Sequence, residues 1–129
     1  MPTLLIADAD SGFRHRTRSA LVERGFDVLA EAASVADAVE RAVAQQPDLC
    51  LVDLELPGGG LAAVAKITKA VPRAAVVVLA EIEDKSDVLA VFERGASGYL
   101  LKAIGPNELA TSLRAAANGE PALSRALVP

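Results

Sequence analysis

Five times along the chain, a short unbroken apolar run gives way to a segment whose apolar residues recur at helical spacing. The first run, Thr3–Ala7, ends at Asp8, and Phe13, Thr17, Ala20, Leu21 and Arg24 then recur at three- and four-residue intervals. Ser11 is the expected cap of that helix and Gly25 its stop. Val28–Ala30 reads as a second strand. Ser34 then opens a helix through Val35, Ala38, Val39, Ala42 and Val43, with Asp37 as a capping-box-like acid and Pro47 marking the end. Leu49–Val52 is the third strand and again ends in an aspartate, Asp53. After a Pro57-Gly58-Gly59-Gly60 loop, Leu61, Val64, Ala65 and Ile67 define the third helix. Val76–Leu79 is the fourth strand, and Val88–Phe92 lies in a helix closed by Gly95. Tyr99–Leu101 is the fifth strand, and Pro106–Asn118 a last helix with proline in its first turn.

Such units, each about 20–25 residues long, have strands that are apolar on both faces, and strands of that kind belong in a parallel sheet covered on both sides. Right-handed crossovers make this a doubly wound α/β fold with five strands and helices on both faces. The length of 129 residues fits one domain, and a hydrophobic content of 52% is enough to build a core. Aromatic residues are only 3%, so Ala, Val and Leu must fill the interior. A net charge of −4 excludes a global basic field that would gather nucleic acid. The lone Cys50 allows no internal disulfide and no cysteine-rich zinc site, which suits a reducing cytosol. The apolar runs Leu4–Ala7, Leu49–Val52 and Ala74–Ala80 fall far below the ~20 residues of a bilayer span. Met1-Pro2-Thr3 lacks the basic start of a signal peptide. The expectation is an acidic cytoplasmic domain over residues 1–119, with 120–129 as the start of a connector.

In an open parallel sheet, ligands bind beyond the carboxyl ends of the strands. The first strand delivers Asp8 there, with Asp10 two residues on; the third delivers Asp53, with Glu55 two residues on. The fourth ends at Ala80-Glu81 and the fifth at Lys102. With strands one and three side by side, Asp8, Asp10 and Asp53 would converge. Their repulsion would be relieved by a hard cation such as Mg²⁺, which prefers oxygen ligands, and a strand-end lysine would neutralise an incoming phosphoryl group. One strand-end aspartate is ordinarily a turn former or cap, and one lysine ordinarily a rim residue. It is the joint pattern along one sheet edge that points to phosphate chemistry.

The segments Leu4-Leu5-Ile6-Ala7-Asp8, Leu51-Val52-Asp53-Leu54-Glu55-Leu56-Pro57-Gly58 and Gly95-Ala96-Ser97-Gly98-Tyr99-Leu100-Leu101-Lys102 resemble the three signatures of response-regulator receiver domains. The likeness runs over essentially the whole chain. With the tail Gly119-Glu120-Pro121-Ala122-Leu123-Ser124, it is most similar to the NarL/LuxR subgroup, in which a helix-turn-helix DNA-binding domain follows the receiver. The chain then corresponds to a natural stand-alone receiver or to a piece of a longer protein. The resemblance implies a flavodoxin-like sheet of order 2-1-3-4-5 and a signalling phosphoacceptor rather than an enzyme. By it, Asp53 takes the phosphoryl group from a sensor histidine kinase. Mg²⁺ is held by Asp8, Asp53 and the Glu55 backbone carbonyl, and Lys102 pairs with the phosphoryl group. Tyr99 is the aromatic switch. The face of the fourth helix, fifth strand and fifth helix includes Val88, Val91, Tyr99, Leu109 and Leu113, some of which must be core; the resemblance implies homodimerisation or partner docking at its outer part. DNA would be reached only through an output domain, and no membrane is involved.

Two positions depart from the family pattern. Ala9 stands where a second acid usually contacts the metal, leaving Asp10 as a substitute one residue late. Ala80 stands where a Ser or Thr hydroxyl usually bonds the phosphoryl oxygen, and Glu81 replaces a small residue beside it. Backbone amides near Asp53 and Glu81 remain as phosphoryl donors. Both changes predict weakened metal binding and weakened coupling to Tyr99. They leave open a phosphorylation-independent pseudo-receiver that keeps the fold for protein contacts. A further alternative reads Asp8 and Asp10 as the Asp-x-Asp pair of a haloacid-dehalogenase-type phosphatase, nucleophile and general acid/base. Three other features read as structural. Cys50 is a packing residue in an apolar strand. His15 with Arg14, Arg16 and Arg18 makes a solvated face, and the Gly58-Gly59-Gly60 run is a flexible loop.

Overall fold

A strand that buries both faces sends alternate side chains into two separate layers, and the chain sorts itself that way. The computed structural model describes residues 1–123. Its elements are β1 (Thr3–Ala7), α1 (Ser11–Glu23), β2 (Asp27–Ala32), α2 (Val35–Gln45), β3 (Leu49–Asp53), α3 (Gly60–Ala70), β4 (Ala75–Ala80), α4 (Lys85–Glu93), β5 (Gly98–Leu101), α5 (Pro106–Ala117) and β6 (Ala122–Leu123). The sheet order is β2-β1-β3-β4-β5-β6, with every neighbouring pair parallel. Leu4, Ile6, Leu49, Leu51, Val77, Leu79 and Leu100 pack on one face against Leu21 of α1 and Leu109 and Leu113 of α5. Their alternates Leu5, Ala7, Cys50, Val52, Val76, Val78, Ala80 and Tyr99 pack on the other against α2, α3 and Val91 of α4. Burial pushes the Cys50 thiol up to about 12, consistent with a packing residue.

The expected five-stranded doubly wound fold and its order 2-1-3-4-5 are present, with a sixth short strand added at the β5 edge. Local signals held with three adjustments. α3 begins at the buried Gly60, so only Gly58 and Gly59 of the glycine run belong to the loop. Asp10, not Ser11, caps α1: it has extended backbone and its carboxylate accepts the Phe13 N–H at 3.1 Å, so Ser11 becomes the first helical residue. Ser34 caps α2 through the Asp37 N–H, but the Asp37 carboxylate pairs with Arg41 one turn on. Among the described residues, no helix is long and apolar enough to cross a membrane.

The stretch expected to begin a connector starts by joining the sheet. Gly98 pairs with Ala122 and Tyr99 with Leu123, and the Ala122 N–H donates to the Ser97 carbonyl at 2.9 Å. Residues 124–129 of that stretch lie outside the described residues. Gly98 is what admits β6: a Cβ there would meet the Ala122 carbonyl oxygen at 2.6 Å and its Cβ at 2.8 Å. Gly98→Ala should therefore push β6 off the edge. It should cost about 1–3 kcal/mol in urea unfolding and abolish exchange protection at the Ala122 amide. Unchanged stability and protection would contradict this packing.

Candidate functional site

Because the strands are parallel, the ends of β1, β3, β4 and β5 open onto one edge. There Asp8 follows β1, Asp53 closes β3, and Lys102 follows β5. The Lys102 backbone is fixed by its N–H donating to the Ala80 carbonyl at 2.8 Å. Its side chain reaches across β4 so that Nζ lies 3.1 Å from Asp8 Oδ2 and 3.3 Å from Asp53 Oδ2. Asp8 is 2% exposed and Asp53 6%. Two carboxylates at that depth repel each other and lose solvation, a cost of several kcal/mol per ion unless a cation compensates. Lys102 supplies that cation. Burial alone would lower its pKa, but the adjacent Asp8 and Asp53 carboxylates outweigh burial and raise it above the ordinary lysine value. The Phe13 ring covers the ammonium at 4.7 Å.

The remaining carboxylate oxygens are held by local backbone. Asp8 Oδ1 accepts the Asp10 N–H at 2.9 Å, and Asp53 Oδ1 accepts the Glu55 N–H at 3.1 Å. Asp8 Oδ2 is buried and, apart from its ion pair with Lys102, accepts no hydrogen bond. A buried oxygen with that freedom and a second carboxylate beside the same ammonium form a hard oxygen pair. Such a pair fits Mg²⁺, which is commonly bound through one or two carboxylates while keeping several waters. Asp10 has a structural task of its own. Its carboxylate is exposed and spent on capping α1, which, with burial opposing, holds its pKa below the usual carboxylate range. Among the described residues, no group of three or more His, Cys, Asp and Glu side chains is arranged to hold a metal. The structure brings Asp8 and Asp53 to one ammonium, while Asp10 Oδ1 is engaged in capping α1.

Ala80 is buried and turns only a methyl toward the interior. Glu81, beside it, is exposed and brings Oε1 to 3.9 Å from Lys102 Nζ, making a third acid around that ammonium. Tyr99 is completely buried in the layer that holds Ala80, and its hydroxyl donates to the Ile82 carbonyl at 2.9 Å. The basic cluster on α1 is only partly a solvated face. Arg14 Nε and Arg18 Nη1 pair with the two oxygens of Glu31 at 2.8 and 2.6 Å, while His15 and Arg16 are exposed. Nothing in the local spacing signals that pairing, because Glu31 lies on another element.

An acid after β1, an acid closing β3 and a lysine after β5, gathered at one edge of an α/β sheet, define a receiver-type site. The family model described as the response regulator receiver domain matches residues 4–114, and the chain belongs to that family. It is 39% identical over 103 residues to the nitrate/nitrite response regulator protein NarL of Escherichia coli (strain K12), covering 79% of this chain and 48% of that protein. It is 37% identical over 99 residues to the transcriptional regulatory protein LiaR of Bacillus subtilis, covering 76% and 47%. The chain therefore spans about half the length of these curated relatives. Among solved structures, a LuxR-family two-component response regulator from Aurantimonas superposes with a TM-score of 0.92 at 32% identity, covering 98% of this chain and 92% of that one. The receiver domain of NarL from Mycobacterium tuberculosis superposes with 0.88 at 26%, covering 92% and 98%. The chain is a receiver domain of the NarL/LuxR type, a class of signalling modules that are generally not enzymes.

Tyr99 is the only tyrosine and there is no tryptophan, so phenolate absorbance reports this group alone. Burial first, then the carboxylates of Asp87, Asp84, Glu55 and Glu83, raise its pKa above the ordinary 10.0. The neutral phenol is thus favoured by folding, a stabilisation fully present below the unfolded value and lost as pH rises through the folded one. A spectroscopic titration should give a midpoint above 10.0 in the folded protein, moving down in Asp87→Asn. A midpoint at or below the ordinary value would contradict the buried, acid-flanked placement.

Proposed function

We propose that this receiver accepts a phosphoryl group on Asp53 from the phosphohistidine of a sensor histidine kinase and thereby controls a transcriptional output. The observation that carries the reading is the Asp53 carboxylate at the β3 end, 3.3 Å from the Lys102 ammonium. A carboxylate oxygen of Asp53 attacks phosphorus, an O–P bond forms, and the N–P bond breaks. The imidazole nitrogen keeps the electron pair and is protonated. Lys102 offsets the added negative charge, and the buried edge fixes donor and acceptor, which is most of what phosphoryl transfer asks of a protein. Asp8, Asp53 and the Glu55 backbone carbonyl would hold Mg²⁺, which when bound supplies charge neutralisation on the phosphoryl oxygens.

Tyr99 is the proposed switch residue and Ala80 its missing link. The methyl of Ala80 cannot hydrogen-bond a phosphoryl oxygen, so coupling from Asp53 to Tyr99 is weaker than a hydroxyl would make it. Residues 1–119, with β6 added at their sheet edge, form the signalling unit, and the remainder of 120–129 leads toward an output domain that makes any DNA contact. The setting is cytoplasmic, with homodimerisation as the assembly to look for. The same Ala80, together with Ala9, favours the second reading, a pseudo-receiver whose contacts ignore phosphorylation. The phosphatase reading is not favoured, because Asp10 caps a helix instead of facing Asp8 as an acid/base.

Incubation with Mg²⁺ and acetyl phosphate, followed by intact mass, tests the proposal. One phosphoryl adduct is expected, absent in Asp53→Asn and in chelator. No adduct on the unaltered chain, or an adduct that persists in Asp53→Asn, would overturn it. In the pseudo-receiver case, beryllofluoride would leave the oligomeric state unchanged.

A further inference from the structure

Ala9 brings no oxygen to the site and Asp10 is taken by its cap, so the turn between β1 and α1 contributes one carboxylate, that of Asp8. Its orientation then matters more than it would in a site with two acids from that turn. Besides its ion pair with Lys102, Asp8 is held at three points. Its N–H donates to the Ala32 carbonyl at 2.9 Å, its Oδ1 accepts the Asp10 N–H at 2.9 Å, and its own carbonyl accepts Arg14 Nη1 at 2.7 Å. The first two contacts are backbone N–H bonds of the strand end and the turn. The third comes from a side chain that is itself clamped, since Arg14 Nε donates to Glu31 Oε1 at 2.8 Å.

We propose that Arg14, steadied by Glu31, is a positioning residue that fixes the Asp8 peptide and so aims Asp8 Oδ2 into the cation site. The clamp needs a guanidinium. Nε and Nη1 donate at once, in one plane, to acceptors on two different elements, which a lysine ammonium on a flexible stem does not reproduce. The plain structural alternative is a brace between α1 and β2. Arg18 separates the two, because it also pairs with Glu31, at 2.6 Å, yet its bonds do not include Asp8. A brace would be weakened by loss of either arginine, whereas aiming of Asp8 depends on Arg14 alone. Groups that orient a metal ligand commonly change metal affinity by 10–100-fold when removed.

This inference rests on the proposed Mg²⁺ site, so its test reads the metal itself. Calorimetric titration of the unphosphorylated protein with Mg²⁺ should show a dissociation constant raised about tenfold in Arg14→Lys, the lower end of that range. Glu31→Ala should do nearly the same, and the double variant no more than either single, because both act through one contact. Glu31→Gln, which keeps an acceptor for Arg14 Nε, should restore most of the affinity. Arg18→Gln should leave it unchanged, with urea unfolding confirming that every variant is folded. Arg14→Lys with unaltered or tighter Mg²⁺ binding would overturn the proposal, as would equal weakening by Arg18→Gln or absence of Mg²⁺ binding by the unaltered chain. If the Mg²⁺ pattern is as expected but acetyl phosphate leaves no adduct, the positioning role stands and the phosphoacceptor reading falls.

Discussion

The Lys102 ammonium, held between the Asp8 and Asp53 carboxylates, is the interaction around which the functional edge is built. Neither acid tolerates its depth without a cation, and the parallel sheet puts all three groups within reach of one another. The β4–β5 register completes the placement, because the Lys102 N–H bonds the Ala80 carbonyl and sets where the side chain leaves the backbone. Phe13 from α1 roofs the ammonium. Charge, sheet register and one aromatic contact thus converge on a single side chain.

Around that triad the edge divides into two unlike sides. Toward α1, Arg14 and Arg18 surround Glu31. Burial works against that carboxyl's ionisation, but the arginines outweigh it and hold its pKa below the usual range. Toward α4, Glu83, Asp84 and Asp87 lie near Tyr99, and Glu81 competes for Lys102. The buried tyrosine is tied to Ile82 and shares its layer with Ala80. With a methyl at position 80, no polar relay through that side chain is available. The proposed weakening of coupling follows from this geometry and not from any loss of the Asp53–Lys102 pair.

Much of this was legible in the sequence because it depends on periodicity along the chain. Apolar runs too short for helices and apolar on both faces specify a covered parallel sheet, and a parallel sheet specifies which residues share an edge. Asp8, Asp53 and Lys102 were readable for that reason, each being the first polar residue at the end of a run. What was not readable depends on contacts across elements. Arg14 and Glu31 are 17 positions apart and meet only once β2 lies beside β1. The two-residue β6 is too short to leave a periodic signal, and only the crowding around Gly98 explains it afterwards. Asp10 looked like a spare acid because capping and metal binding draw on the same carboxylate, and the backbone angle that decides between them is not a property of composition.

Asp53 is the proposed seat of phosphoryl chemistry at this edge. Treating the protein with Mg²⁺ and acetyl phosphate, reducing with borohydride, and mapping peptides by tandem mass spectrometry tests it most directly, because borohydride converts an aspartyl phosphate to homoserine. Homoserine is expected at position 53 and nowhere else. Homoserine at position 8 or 10, with Asp53 intact, would contradict it.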